Sequence, residues 1–181
     1  FGVGFYSVFM VASSVRVESL SYQPGPGGWE WFSDGTGSYT INKAEGLSRG
    51  TRIIITLKED AREFSDAGRI KNIIRQYSNF VPFDIKVNGE KVNTVQAIWA
   101  RSKSEINDEE YNEFFKFLTN SFLEPVYRLH LSSDAPLQIN ALFFVPADNP
   151  ERFGLGRLDP GVNLYSRRVL IQQNARDILP E

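Results

Sequence analysis

RGTRIIITLK, residues 49–58, is the most strongly strand-like run in the chain. β-Branched residues dominate it, and Ile53, Ile55 and Leu57 recur at period two, so they share one strand face. Upstream, Val15 and Val17 alternate with Arg16 and Glu18, the signature of a half-buried strand. GWEWFSDG puts Trp29 and Trp31 on one strand face, and SYTI is a further short strand. Between these runs lie QPGPGG and SDGTG, both concentrated turn signals. Parallel neighbours would need a crossover, and the gaps hold no helical pattern. The four strands therefore predict an antiparallel meander.

Downstream, Ile70, Ile73, Ile74 and Tyr77 recur at helical spacing behind Ser65 or Asp66 as cap, and Pro82 ends the helix. FDIKVNGEKVNTV predicts a hairpin around Asn88-Gly89. A domain boundary is expected just after it, dividing the chain into 1–94 and 95–181. In the second part Asn107 stands three residues before Glu110, a capping-box pattern, and Tyr111, Phe114, Phe115 and Leu118 form one apolar helix stripe. Strands are expected over 126–132, 138–145 and 162–171, with the Pro/Gly-rich loop ADNPERFGLGRLDPG before the last. The fold class is α+β.

The composition narrows the chemistry. With 181 residues the chain has room for one ordinary domain or two small ones. A formal net charge of −2 argues against nonspecific nucleic-acid binding, which needs a basic footprint. No cysteine is present, which excludes disulfide and thiolate chemistry. His130 is the single histidine, too few for a zinc ligand set, and is expected to be a satisfied structural residue. No apolar run approaches the ~20 residues that span a bilayer. No metal site, nucleic-acid partner or membrane partner is therefore expected. No Ser-His-Asp set or carboxylate pair can be picked out either.

The front edge, FGVGFYSVFM, poses the sharper question. FYSVFMVA reads as a short buried helix, and the glycines before it admit two accounts. One is an ordinary helix-opening turn. The other is a wall of a phosphate site, because glycines permit close ligand approach and amides at a helix N-terminus suit anions. A P-loop is absent, and the dinucleotide fingerprint is incomplete: Ser7 stands where a third small residue belongs, with Glu18 near the position of a ribose-binding acid. Thr51 is either a β-branched strand opener or a hydroxyl able to meet a base edge. Trp99 either packs at a junction or belongs to a partner surface. Arg167 and Arg168 are expected to alternate across a strand, one of them facing solvent.

Taken in order, FGVGFYSVFMVA, W-x-S-D-G-x-G, RGTRIIITLK, RQYSNFV, QAIWARSKSEINDEEYNEFFK, LYSRRVLI and ILPE resemble the heat-shock protein 90 chaperone family over essentially the whole chain, its mitochondrial branch most nearly. The short connection between Val87 and Trp99 favours the mitochondrial or bacterial type over the cytosolic eukaryotic one. The resemblance implies an internal fragment: the C-terminal part of a GHKL (Bergerat) nucleotide-binding sandwich with an antiparallel sheet, then the start of an α/β middle domain. It further implies ATP as ligand, with Gly2, Val3, Gly4 and Phe5 at the phosphates and Thr51 near adenine. The family's catalytic glutamate, magnesium-binding asparagine and phosphate-contacting arginine would lie outside these residues, so no catalytic residue and no Mg2+ ligand is assigned here. Partners implied are unfolded clients, met by Trp99 and Phe153, and a second subunit through a C-terminal domain. The compartment implied is the mitochondrial matrix, or else a bacterial or eukaryotic cytoplasm. Two alternatives stay open: another GHKL ATPase of the mismatch-repair or gyrase type, and an interaction domain without nucleotide.

Overall fold

The structure is a computed structural model and describes residues 3–25, 27–93, 96–147 and 162–178. It has mixed helices and antiparallel sheets, an α+β fold. The chain divides into two compact units, Phe1–Asn72 and Ile73–Glu181. That division lies upstream of the expected 94/95 boundary, because Phe80 packs with Ala97, Ile98 and Phe114 in the core of the second unit.

In the first unit a 3-10 helix, Val3–Met10, leads into β1 (Ala12–Leu20). Then come β2 (Gly28–Ser33), β3 (Thr40–Ala44) and β4 (Gly50–Leu57). All pairings are antiparallel, and the order is β3-β2-β1-β4. The expected meander holds only for the first three strands. β4 crosses back to the free edge of β1, which makes β1 central and leaves its Val15 0% exposed. The turn after β2 is built by Asp34, whose Oδ1 accepts from the Thr36 amide and hydroxyl. Glycine is required at position 35, where φ is +78° and a Cβ would lie 2.8 Å from the Phe9 ring.

The opening helix differs from expectation in two ways. It is a 3-10 helix, and it is largely exposed rather than buried. It meets the turn after β2 through Phe9 at Gly35, and the sheet through Phe5, whose ring stands edge-on to Trp31 at 5.7 Å. Lys58 secures its far end, donating from Nζ to the carbonyls of Phe9 and Met10. A cation there complements the negative end of the helix.

A second 3-10 helix, Glu59–Ser65, leads into α1 (Ala67–Tyr77), capped by Asp66, whose Oδ1 accepts from the Arg69 amide at 2.7 Å. In the second unit β5 (Lys86–Val87) and β6 (Glu90–Lys91) form the expected hairpin, with Asn88 and Gly89 both at positive φ. The capping box on α2 (Asp108–Thr119) is complete: Asn107 Oδ1 accepts from the Glu110 amide and Glu110 Oε2 from the Asn107 amide. Tyr111, Phe114 and Phe115 are buried, whereas Leu118, expected on the same stripe, is 41% exposed at the helix end. β7 (Pro125–Ser133) pairs with β8 (Ile139–Pro146).

The strand expected over 162–171 is instead a hairpin of β9 (Val162–Ser166) and β10 (Val169–Ala175). Arg167 and Arg168 do not alternate across a strand. They are its two turn residues, at φ 48° and 67°, the left-handed geometry that two-residue hairpin turns demand.

Candidate functional site

Residues directly opposite in an antiparallel pair project to the same face. Val17 lies opposite Trp31 on β2 and Ile53 on β4; Ser19 lies opposite Trp29 and Thr51. These six side chains therefore share the sheet face on which Phe5 rests through Trp31. The alternate residues carry the charge: Arg16 pairs with Glu30 at 3.6 Å and Arg52 with Glu18 at 3.2 Å on the opposite face. One face is thus apolar with a polar corner, and the other is largely ionic.

The polar corner is a pair of hydroxyls, Ser19 Oγ and Thr51 Oγ1, 3.0 Å apart. Ser19 Oγ also donates to the Gly50 carbonyl at 3.4 Å, so Thr51 donates to Ser19 and each hydroxyl keeps acceptor capacity beyond these contacts. The apolar floor beside it lies open, with Ile53 51% exposed and Ile55 43% exposed. Open apolar surface of this kind on a sheet face marks a place that something covers. A separate shallow cavity of about 180 Å3 at the Gly50 end is lined by Glu18, Arg49 and Arg52 as well as Thr51. Its charged lining sets it apart from the apolar floor.

The opening helix folds back over this face, running from Phe5 at the level of Val17 to Met10 beside the start of β1. β2 and β4 lie two strand spacings apart, about 10 Å. Phe5 and Thr51 thus flank one floor, with Val17 and Ile53 between them. Gly4 has no heavy atom within 4 Å of where a Cβ would stand, and its φ is not in the left-handed region. Its backbone therefore does not need glycine for its own conformation. Ser7 Oγ donates to the Gly4 carbonyl at 2.7 Å, and the first amides of a helix find no acceptor within it. Gly2 and Phe153 lie outside the described residues, as does the side chain of Val3.

Trp99 belongs to an aromatic cluster. Its ring lies 4.6 Å from Phe80, 5.0 Å from Tyr165 and 5.7 Å from Phe114, centroid to centroid. It is half-buried, so one part of the indole stays accessible. Below it, buried His130 bridges two groups, with Nδ1 2.7 Å from the Tyr111 hydroxyl and Nε2 3.2 Å from the Trp99 carbonyl. The carbonyl can only accept, so Nε2 carries the proton and Nδ1 accepts from tyrosine in the neutral ring. His130 is thereby a satisfied structural residue. Among the described residues no group of three or more His, Cys, Asp or Glu side chains is placed to hold a metal ion.

The candidate face thus carries Phe5, through Trp31, and Thr51, and adds Val17, Ser19 and Ile53, which sequence reasoning did not single out as site residues. The strand register was the missing signal: alternation shows which residues of one strand share a face, not which face of the next strand joins it.

Comparison with known proteins places the chain in a family. The family model described as Hsp90 protein matches residues 87–181. A chaperone protein HtpG of Desulfotalea psychrophila is 58% identical over 180 residues, covering 99% of this chain and 29% of that protein. The mitochondrial TNF receptor-associated protein 1 homolog of Dictyostelium discoideum is 51% identical over 181 residues, 100% of this chain and 26% of that protein. The mitochondrial heat shock protein 75 kDa of Bos taurus is 45% identical over 181 residues, 99% of this chain and 26% of that protein. Bacterial and mitochondrial relatives thus both match along the whole chain, which spans under a third of their length. The chain belongs to the heat-shock protein 90 family of chaperones.

Proposed function

We propose that this chain is part of an ATP-dependent chaperone and forms one side of its nucleotide site. The observation that carries this reading is the open sheet face shared by Val17, Ser19, Thr51 and Ile53, flanked by Phe5 and the uncrowded Gly4. An apolar floor with one hydroxyl corner suits a flat heteroaromatic base. Unencumbered amides at a glycine-rich helix start suit phosphate oxygens. In this reading Thr51, supported by Ser19, meets the base edge, Val17 and Ile53 hold its plane, and the backbone of Gly2–Phe5 donates to the phosphates.

Bound ATP with Mg2+ supplies the hydrolysable anhydride and the charge that orders the surrounding segments. The metal ligand and the hydrolytic residues lie outside this chain. Residues 1–94 are the C-terminal part of a GHKL sandwich, its last segment from Ile73 packing within the second compact unit, and 95–181 are the start of a middle domain. Nucleotide favours a closed clamp to the extent that it makes more contacts in the closed state than in the open one. Unfolded clients meet middle-domain surface around Trp99 and Phe153, and the full-length protein is a homodimer. Its compartment is the mitochondrial matrix, with a bacterial or eukaryotic cytoplasm as the alternative, and it serves the stress response.

The test is photo-crosslinking of full-length protein with an 8-azido adenine nucleotide. Labelled peptides containing Thr51 or Ile53, lost on competition with ATP, are expected. Labelling that avoids residues 1–60 altogether would overturn the assignment.

A further inference from the structure

The second unit holds a cavity of about 360 Å3 whose lining includes Phe80, Phe83, Asp84, Lys91, Arg101 and Arg168. That volume lies within the range, about 300–1,000 Å3, of pockets that enclose small ligands or peptide side chains. Its floor is held by Asn93, which is buried. Asn93 Oδ1 accepts from the Ile85 amide at 2.6 Å, and Nδ2 donates to the carbonyls of Phe83 and Val81 at 2.7 and 3.2 Å. With its side chain committed on both sides, Asn93 fixes the loop 81–85 and is itself unavailable to a ligand.

The charges lining the cavity are unequally matched. Lys91 Nζ lies 2.7 Å from Asp84 Oδ1, and its hydrogen bond and charge hold the Asp84 carboxyl below its ordinary range. Arg101 is engaged by Glu110 at 2.6 Å and by the Glu105 carbonyl. Arg168 makes no hydrogen bond or ion pair with another described residue, so one guanidinium on the wall is uncompensated. It is also an arginine at φ 67°, where asparagine or glycine would sit without strain. Phe83, on the same lining, is 76% exposed, an apolar surface in the cavity that holds the lone cation.

We propose that this cavity binds the carboxylate side chain of an acidic peptide segment, with Arg168 as its partner and a neighbouring apolar residue of the peptide on Phe83. One uncompensated charge matches a monoanion, and the planar guanidinium fork matches a carboxylate. A more highly charged phosphate would leave charge unmatched next to the Asp84 carboxylate. Exposed Phe83 adds apolar area that a free inorganic anion would not use. This inference is independent of the nucleotide reading above.

The experiment is calorimetry on the full chain with an acetylated, amidated tetrapeptide FEEL and its neutral counterpart FQQL. FEEL is expected to bind, and FQQL to bind at least about tenfold more weakly. Arg168→Asn, a residue at ease at positive φ, is expected to keep the fold by circular dichroism and to weaken FEEL by a similar factor. Arg167→Asn, in the same turn but not lining the cavity, is expected to leave FEEL affinity unchanged. Lys91→Met gives an independent check, because unpairing Asp84 should also weaken the acidic peptide. Inorganic phosphate at matched ionic strength is expected not to displace FEEL. Absence of FEEL binding, equal binding of FEEL and FQQL, full affinity in Arg168→Asn, or displacement by phosphate would each overturn the proposal.

Discussion

Gly4 separates two explanations that its sequence context leaves joined. A methyl group there would project into open space, and the backbone conformation is one that alanine adopts freely. Gly4→Ala is therefore expected to change the chain's own stability by no more than about 0.5 kcal/mol, as surface substitutions do. In the full-length protein Gly4→Val is expected to abolish nucleotide binding or clamp closure, because the proposed reading gives that space to the nucleotide. Urea denaturation of the chain and ATPase assay of the full-length variant check the two halves; an unchanged ATPase would remove Gly4 from the site. His130 makes the opposite case, since its surroundings are fully committed. His130→Ala leaves the buried Tyr111 hydroxyl and the Trp99 carbonyl without partners. A loss of about 1–3 kcal/mol is expected in urea denaturation, with little change if the bridge is dispensable.

Among the elements, α2 illustrates a pattern that could be read directly. Asn107 and Glu110 announce the capping box, and the aromatic stripe that follows is the one buried. Arg101, donating to Glu110, then the Asn107 amide, hold the Glu110 carboxyl below its ordinary value. A depressed carboxyl contributes stability that is present above its unfolded pKa and is lost as pH falls through the folded one. Stability of the chain is therefore expected to decline on acidification below the usual glutamate range. Glu110→Gln should flatten that decline; an identical acid slope in the variant would show that the capping carboxylate contributes nothing to it. The β9–β10 hairpin shows where reading fails. Nothing in Ser-Arg-Arg-Val signals a turn, because arginine has no intrinsic preference for positive φ, and the turn is imposed by pairing of the flanking strands. Arg167→Asn is accordingly expected to stabilise the chain by about 0.5–1 kcal/mol, measured by thermal denaturation, while an unchanged midpoint would mean the strain is negligible. The opening segment was legible as helical but not as 3-10 or exposed, since apolar composition alone does not show which of its residues the sheet covers.

At the scale of the whole molecule, local periodicity located most strands and both α-helices, but not their order. Placement of β4 beside β1 is a non-local pairing, from Leu20 with Gly50 to Ala12 with Leu57, and no neighbouring residue pattern encodes it. The site inherits that difficulty. Phe5 and Thr51 could be named individually, yet only the register brings Val17, Ser19 and Ile53 onto the same floor. The face remains open among the described residues, so the chain alone is expected to bind ATP more weakly than about 1 mM, a range in which little of the binding free energy is realised. Submillimolar affinity in calorimetry would mean that these residues suffice. The central claim is that this open face and the glycine-led helix start receive ATP together. It is tested most directly by hydrogen–deuterium exchange of the full-length protein with and without a non-hydrolysable ATP analogue. Slowed exchange at the amides of Gly4 and Phe5 and across residues 50–53 is the predicted result; unchanged exchange at both places, with the analogue shown to be bound, would contradict it.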